Sequence, residues 1–218
     1  MSGAAGLELA GYRLLLEGRP LFAPLTLRVR PGEILAVTGP SGCGKTSLLL
    51  ALSGLLAGPF RIEGEAALEG RPLAGLPPSR RRLGLLFQDP LLLPHLTVGQ
   101  NLAFGLDRRR ASGRAERRRL VEEALRQIRL EDFGERDPAG LSGGQRARVA
   151  LMRCLLAEPR ALLLDEPFAS LDPPLRGEMR DLLARLVGRQ GLPTLLVTHD
   201  REDVDALTVR RLCLEKPR

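Results

Sequence analysis

The residues best suited to chemistry in this chain form a glycine-rich loop, Gly39-Pro40-Ser41-Gly42-Cys43-Gly44-Lys45-Thr46, followed by Ser47. Its glycines let backbone N–H groups turn inward around phosphate oxygens without Cβ clashes. A helix opening at Lys45 adds the positive end of its dipole, roughly half an elementary charge, at the same point. Lys45 is placed to reach the β- and γ-phosphates of a nucleotide, and the Thr46 hydroxyl to reach Mg²⁺. A second glycine pair stands far downstream, in Leu141-Ser142-Gly143-Gly144-Gln145. There Ser142 is a good helix N-cap, and Gly143-Gly144 permit close backbone approach to an anion. Two grips for phosphate, with one place for a nucleotide base, point to a dimer that shares its nucleotides.

Acids and bases are spaced to serve the first loop. Ala161-Leu162-Leu163-Leu164-Asp165-Glu166 reads as a buried strand with its acids emerging at the carboxyl end. Asp165 is expected to hold the Mg²⁺ shell. Glu166, one residue on, is expected near the γ-phosphate, able to polarise an attacking water as general base. His199, in Val197-Thr198-His199-Asp200, and Gln88, in Phe87-Gln88-Asp89, each follow a short apolar run. Both are expected on the rim facing the γ-phosphate, in catalytic or sensing roles. His95 is expected to pack or to face a partner.

These groups need a scaffold of strands that end together. Leu25, Leu27 and Val29 alternate with Thr26, Arg28 and Arg30, which predicts a half-buried strand. Ile34–Thr38 predicts a buried strand feeding the glycine loop. Lys45–Leu56 predicts a helix that Gly58-Pro59 stops. Further strands are expected at Phe60–Leu68, Leu83–Phe87, Ala161–Asp165 and Thr194–Thr198, with a helix over Pro174–Val187. From Asp89 to Ala157 the character is helix-rich, Arg-rich and amphipathic, for example at Glu116–Ile128. The expected fold is α/β: a P-loop NTPase core with a mostly parallel sheet, an antiparallel β-subdomain and an inserted helical lobe. It is read as one domain, with the core over 1–88 and 158–218 and the lobe over 89–157.

Composition narrows the function classes. The 218 residues are 44% hydrophobic but only 3% aromatic, with no Trp and one Tyr, so the core must be mostly Leu, Val and Ala. The net charge of +7 comes almost wholly from Arg; the lysines are Lys45 and Lys216. The runs Arg80–Arg82, Arg108–Arg110 and Arg117–Arg119 carry no interleaved aromatics to stack on bases, so no nucleic-acid partner is expected. They read as a solvated charged face, with a cytoplasmic membrane surface or an anionic partner as the alternative. Three cysteines, Cys43, Cys154 and Cys213, fit no zinc or redox spacing, which suits a reducing compartment. Cys154 is expected in the core. No signal peptide and no membrane-spanning run is read, so any membrane role is expected to be peripheral.

The order and spacing of Gly39–Thr46, Gln88, Leu141–Gln145, Leu162–Glu166, Ser170-Leu171-Asp172 and His199 resemble the ATP-binding cassette (ABC) ATPases over nearly the whole chain. The resemblance implies ATP and Mg²⁺ as cofactors, with Thr46, Gln88 and Asp165 at the metal. It implies catalytic roles for Glu166, His199, Lys45 and Gln88. It also implies that Ser142, Gly143, Gly144 and Gln145 contact ATP held on a second copy, and that Asp172 couples the two sites. Phe87–Val98 and Asp165-Glu166-Pro167-Phe168 look like the importer branch. Its members are peripheral on the cytoplasmic face of the cell membrane and cradle a helix of integral permease subunits. Leu91–Leu93 and Leu96 could form that groove. Gly144–Leu151 looks like importers of thiamine and related small polar solutes. An exporter or lipoprotein-release ATPase, or a soluble ABC ATPase acting on nucleic acid or the ribosome, are the alternatives. Family members usually place an aromatic upstream of the loop to stack on adenine. Here Leu16 holds that register and Tyr12 lies four residues early. Either the loop shifts to bring Tyr12 over the base, or an aliphatic contact replaces stacking. Relaxed base selectivity is therefore expected.

Overall fold

The structure is a computed structural model and describes residues 6–107, 113–208 and 210–215. In chain order the strands and helices are β1 (Leu7–Leu16), β2 (Arg19–Pro20), β3 (Leu25–Val29), β4 (Ile34–Thr38), α1 (Lys45–Ser53), β5 (Phe60–Leu68), β6 (Arg71–Pro72), α2 (Pro78–Arg81), β7 (Leu83–Leu86), α3 (Val98–Gly105), α4 (Arg114–Gln127), α5 (Gly143–Leu156), β8 (Ala161–Asp165), α6 (Pro173–Gln190), β9 (Thr194–Val197), α7 (Arg201–Leu207) and β10 (Arg210–Cys213). The chain forms two units. The first contains 1–85, 160–166 and 184–218; the second contains 86–159 and 167–183.

The first unit holds two sheets. One has the order β10-β4-β9-β8-β7, and β10, β4, β9 and β8 run parallel. The residues Ile34–Val37, Ala161–Leu164 and Thr194–Val197 are all buried. A strand covered on both faces needs a continuous apolar run, and that is why these three are legible in the sequence. The other sheet is antiparallel, with β2-β1-β5-β6 in order and β3 also on β1. Among the described residues, buried side chains of the unit from Leu7 to Leu214 make one core cluster.

β1 and β10 lie outside the sequence expectations for reasons visible in their geometry. The register of β1 shifts between Leu9 and Tyr12, so buried positions change from Leu7 and Leu9 to Tyr12 and Leu14. A bulge that changes parity hides the period-two signal. β10 is mostly exposed and begins with two arginines. Its place comes from backbone pairing with β4.

α1 ends earlier than expected, at Ser53 rather than Leu56. Gly54 adopts φ 80° and its N–H turns back to the carbonyls of Leu50 and Ala51, a left-handed stop that Gly58-Pro59 never has to supply. Arg81 closes the same helix end, donating from Nη1 to the carbonyls of Ala51 and Leu52 at 2.8 and 2.7 Å. Within Arg80–Arg82, then, one guanidinium caps a helix.

In the second unit α3 packs on α4 and α5. α4 begins two residues before the expected Glu116. Its arginines pair locally: Arg118 with Glu122 at 2.9 Å, and Arg119 with Glu116 at 2.8 Å. Arg117 donates to the Ala103 carbonyl. Such pairs fit a solvated helix face. Arg108–Arg110 and Lys216 lie outside the described residues. Among those described, no helix is long and apolar enough to cross a membrane.

Candidate functional site

Parallel register brings three strand ends to one level. Val37 of β4 is opposite Val197 of β9, which is opposite Asp165 of β8. The glycine loop, the acid pair and His199 therefore leave the sheet together, at its carboxyl edge.

The loop is held from within. Lys45 Nζ donates to the carbonyls of Gly39 and Pro40 at 2.9 and 3.0 Å. Gly39 has φ 143°, and a Cβ there would come within 2.6 Å of the Leu214 carbonyl oxygen. That carbonyl follows β10, whose Leu214 N–H donates to the Thr38 carbonyl. The first glycine is thus required by the neighbouring edge strand as well as by the loop's own turn. Gly44, with φ 92°, caps α1 without a side-chain bond, so the N–H groups of its first turn face the loop.

Asp165 and Thr46 are hydrogen-bonded, and Asp165 is half-buried. Burial pushes its carboxyl above the usual range and the Glu166 charge adds to this, while the Thr46 hydroxyl and Lys45 pull the other way. A raised carboxyl pKa in the folded state means stability falls as pH rises through the interval between the unfolded and folded values. Asp165→Asn is therefore expected to raise the urea midpoint of the nucleotide-free protein at pH 7. The gain should shrink as pH falls toward ~4, where the unfolded carboxylate itself protonates. A midpoint lowered at pH 7 would contradict this.

Glu166 adopts φ 47°, a left-handed conformation disfavoured for a residue with a side chain. Its N–H donates to the Val197 carbonyl at 2.9 Å, which holds the turn. His199 Nδ1–H then donates to Glu166 Oε1 at 3.1 Å. The imidazole is 70% exposed while the carboxylate is 25% exposed, so the carboxylate lies deeper than the ring that orients it. A cavity of about 370 Å³ is lined by Glu166 together with Ser41, Gly42, Lys45, Thr46 and Ser47. Its apolar wall is Leu16, Leu21, Phe60 and Val197. Cys43, within the loop, is buried.

Tyr12 is not on that wall. It is 3% exposed within the core cluster, and burial pushes its phenol up to about 12. The alternative that brings Tyr12 over a base is thereby corrected: a ring enclosed by core side chains offers no open face. As the chain's single tyrosine, it can be titrated by ultraviolet absorbance. Ionisation is expected near 12 in the folded protein and near ~10 in denaturant, so its stabilising contribution is lost as pH rises from ~10 through about 12. A folded-state ionisation near 10 would put the ring in solvent.

In the second unit, Ser142 caps α5 through a reciprocal box. Its hydroxyl accepts from Gln145 N–H at 3.2 Å, and Gln145 Oε1 accepts from Ser142 N–H at 2.9 Å. The expected glycine turn is thus the first turn of a helix. Gly144 is buried, and a Cβ on it would lie 3.1 Å from Leu175, so its smallness is also required by helix packing. A Cβ on Gly143 would meet Leu171 at an ordinary 3.7 Å. Asp172 Oδ1 accepts from Leu175 N–H, opening α6. Gln88 is exposed just beyond β7. The structure thus groups Gly39–Ser47, Asp165, Glu166 and His199 in one unit. Gln88, Ser142–Gln145 and Asp172 belong to the other.

Two residues outside the sequence expectations organise the segment after Gln88. Asn101 is fully buried on the Val98–Leu102 face of α3. Its Nδ2 lies 3.0–3.1 Å from the carbonyls of Leu93, Leu96 and Thr97, and its Oδ1 accepts from Leu93 N–H at 2.8 Å. Arg153 of α5 donates to the carbonyls of Pro90 and Leu91. A lone amide on an apolar helix face was the signal available for Asn101. Leu91 remains 53% exposed and His95 is exposed. A larger cavity of about 870 Å³, lined by Gln100, Ala103, Arg117, Val121 and Leu125, also lies in this unit, but it has no loop to receive phosphate. Cys154 is half-buried on α5, and burial of its sulfur pushes the thiol up to about 12, as fits an inert packing residue.

Comparisons with known proteins agree with this geometry. Residues 22–169 match the model of the ABC transporter family. The spermidine/putrescine import ATP-binding protein PotA of Methylococcus capsulatus is 47% identical over 84% of this chain and 47% of its own length. The sulfate/thiosulfate import ATP-binding protein CysA of Caulobacter vibrioides is 42% identical over 91% of this chain and 59% of its own. The ABC transporter ATP-binding protein YnjD of Escherichia coli K12 is 46% identical over 88% of each chain. The chain spans about half the length of the PotA relatives it matches. A dimeric post-hydrolysis structure of the ATP-binding cassette MJ0796, bound to ADP and Pi, superposes with a TM-score of 0.81 at 29% identity, over 96% of this chain and 94% of that one. The family match over residues 22–169, the relatives' identity and the shared fold mean that the chain belongs to the ABC transporter family as an ATP-binding cassette.

Proposed function

We propose that this chain is the ATP-hydrolysing, energy-coupling subunit of an ABC importer, on the cytoplasmic face of the cell membrane. It is read as a single cassette domain with its core over 1–88 and 158–218 and its helical lobe over 89–157. The observation that carries the reading is the Glu166–His199 contact at the sheet edge where Lys45 and Thr46 also stand. Glu166 takes the proton of the attacking water, His199 fixes its carboxylate, and Lys45 balances charge on the phosphates. The Thr46 hydroxyl and the Asp165 carboxylate are hard oxygen donors already in contact, which suits Mg²⁺ completed by phosphate, water and Gln88. Held there, Mg²⁺ would supply positive charge to stabilise the phosphates.

Two copies are read as closing around two ATP molecules, each completed by Ser142, Gly143, Gly144 and Gln145 of the other copy, with Asp172 coupling the sites. Permease subunits would follow that closure by linkage, docking on the Leu91–Leu93 and Leu96 segment that Asn101 and Arg153 hold. The named relatives carry different solutes at similar identity, spermidine/putrescine in one and sulfate/thiosulfate in another. Solute choice is accordingly assigned to the permease and its binding protein. The deciding experiment is light scattering on Glu166→Gln. A dimer is expected with Mg²⁺-ATP and a monomer with ADP; a monomer under saturating ATP would overturn the reading.

A further inference from the structure

The first unit contains three aromatic side chains, Tyr12, Phe22 and Phe60. Tyr12 is 3% exposed and Phe22 is fully buried. Phe60 is half-buried and lines the cavity that also receives Lys45 and Thr46. Its backbone sits directly across the sheet from Leu16, at the ends of β5 and β1. Directly opposite residues of an antiparallel pair point to the same face, so the ring and the Leu16 side chain share one surface.

That surface is anchored. Phe60 N–H donates to the Gly58 carbonyl at 2.8 Å, and Glu17 N–H donates to the Pro59 carbonyl. The ring edge lies 3.6 Å from where a Cβ on Gly58 would stand. Leu21 continues the wall and lies 3.1 Å from the corresponding point on Gly44, at the cap of α1. An apolar wall carrying one aromatic plane thus abuts the phosphate loop. The polar side chains lining the cavity all belong to the loop, its helix and Glu166.

Resting on the nucleotide-binding reading above, we propose that Phe60 is the stacking platform for the base, with Leu16 and Leu21 completing an apolar slot. An aromatic face attracts any nucleobase through its π surface and does not read its edge. The slot therefore accepts adenine and guanine nearly equally, with discrimination by stacking area. Binding free energy comes from the phosphates through the loop and from the base through Phe60, and the two parts are separable.

The test compares ATP, GTP and inorganic tripolyphosphate on wild type, Phe60→Ala and Phe60→Trp, with thermal melts on each. Phe60→Ala is expected to weaken ATP and GTP about 5- to 150-fold and to leave tripolyphosphate affinity unchanged. Phe60→Trp supplies the single tryptophan of a chain that has none, and its fluorescence should be quenched by ATP but not by tripolyphosphate. Unchanged ATP affinity in Phe60→Ala, equal loss of ATP and tripolyphosphate, or no quenching in Phe60→Trp would each overturn the assignment while wild type still binds ATP. Wild type that binds neither ligand would overturn the nucleotide-binding reading itself.

Discussion

Glu166→Gln is expected to lower ATP turnover by about 10²–10⁴-fold while leaving nucleotide affinity nearly unchanged. The amide keeps the size of the carboxylate and one oxygen to accept from His199 Nδ1–H, so the 3.1 Å contact can persist. What it loses is the ability to take a proton from water. The left-handed backbone at Glu166 strengthens this separation of roles. That strain is held by the bond from Glu166 N–H to the Val197 carbonyl, which the substitution does not touch. Steady-state phosphate release checks the rate, and equilibrium binding checks the affinity. A variant retaining more than about a tenth of wild-type turnover would remove Glu166 from the role of base. His199→Ala provides the contrast: the base would remain but swing free, so the loss should be partial and larger in kcat than in KM.

Ser142→Ala is expected to reduce turnover by about 10²–10³-fold, the usual effect of removing one donor to a developing charge. It should not change ATP binding by the isolated monomer, because Ser142 is assigned to the nucleotide of the other copy. A structural cost accompanies it. The hydroxyl caps α5, and its loss typically costs about 0.5–2 kcal/mol. Ser142→Asp separates the two effects. Aspartate restores the cap, yet puts a negative charge where phosphate is expected, so stability should recover and turnover should not. Turnover that follows stability in both variants would reduce Ser142 to a cap. For Gly144 the close neighbour is Leu175, so Gly144→Ala acts first through packing and its melting temperature must be measured alongside.

Much of the chemistry was legible because phosphate binding and proton transfer demand particular side chains at fixed spacings. Lys45 and Thr46 follow a glycine loop, and Asp165 and Glu166 follow a buried apolar run. Those local patterns do not depend on distant contacts. For Tyr12 the same local patterns leave two alternatives, a base contact or none. Proximity in sequence to the expected aromatic position admits a base contact, but the bulge after Leu9 turns Tyr12 into the core. Phe60 carries no motif at all. It reaches the cavity by cross-strand pairing with Leu16, forty-odd positions earlier in the chain.

By itself the sequence determined the strand–loop–helix around Gly39–Thr46, the acids after β8, the helix-opening Ser142 and the family to which these belong. Each is set by short-range rules of turn, cap and burial. Tertiary structure decided the level at which β4, β8 and β9 end, and with it the meeting of Glu166 and His199. It decided that Gly39 yields to the Leu214 carbonyl and Gly144 to Leu175. It also decided which aromatic faces the loop. Sheet register and close packing are relations between residues far apart in sequence, and no local pattern encodes them.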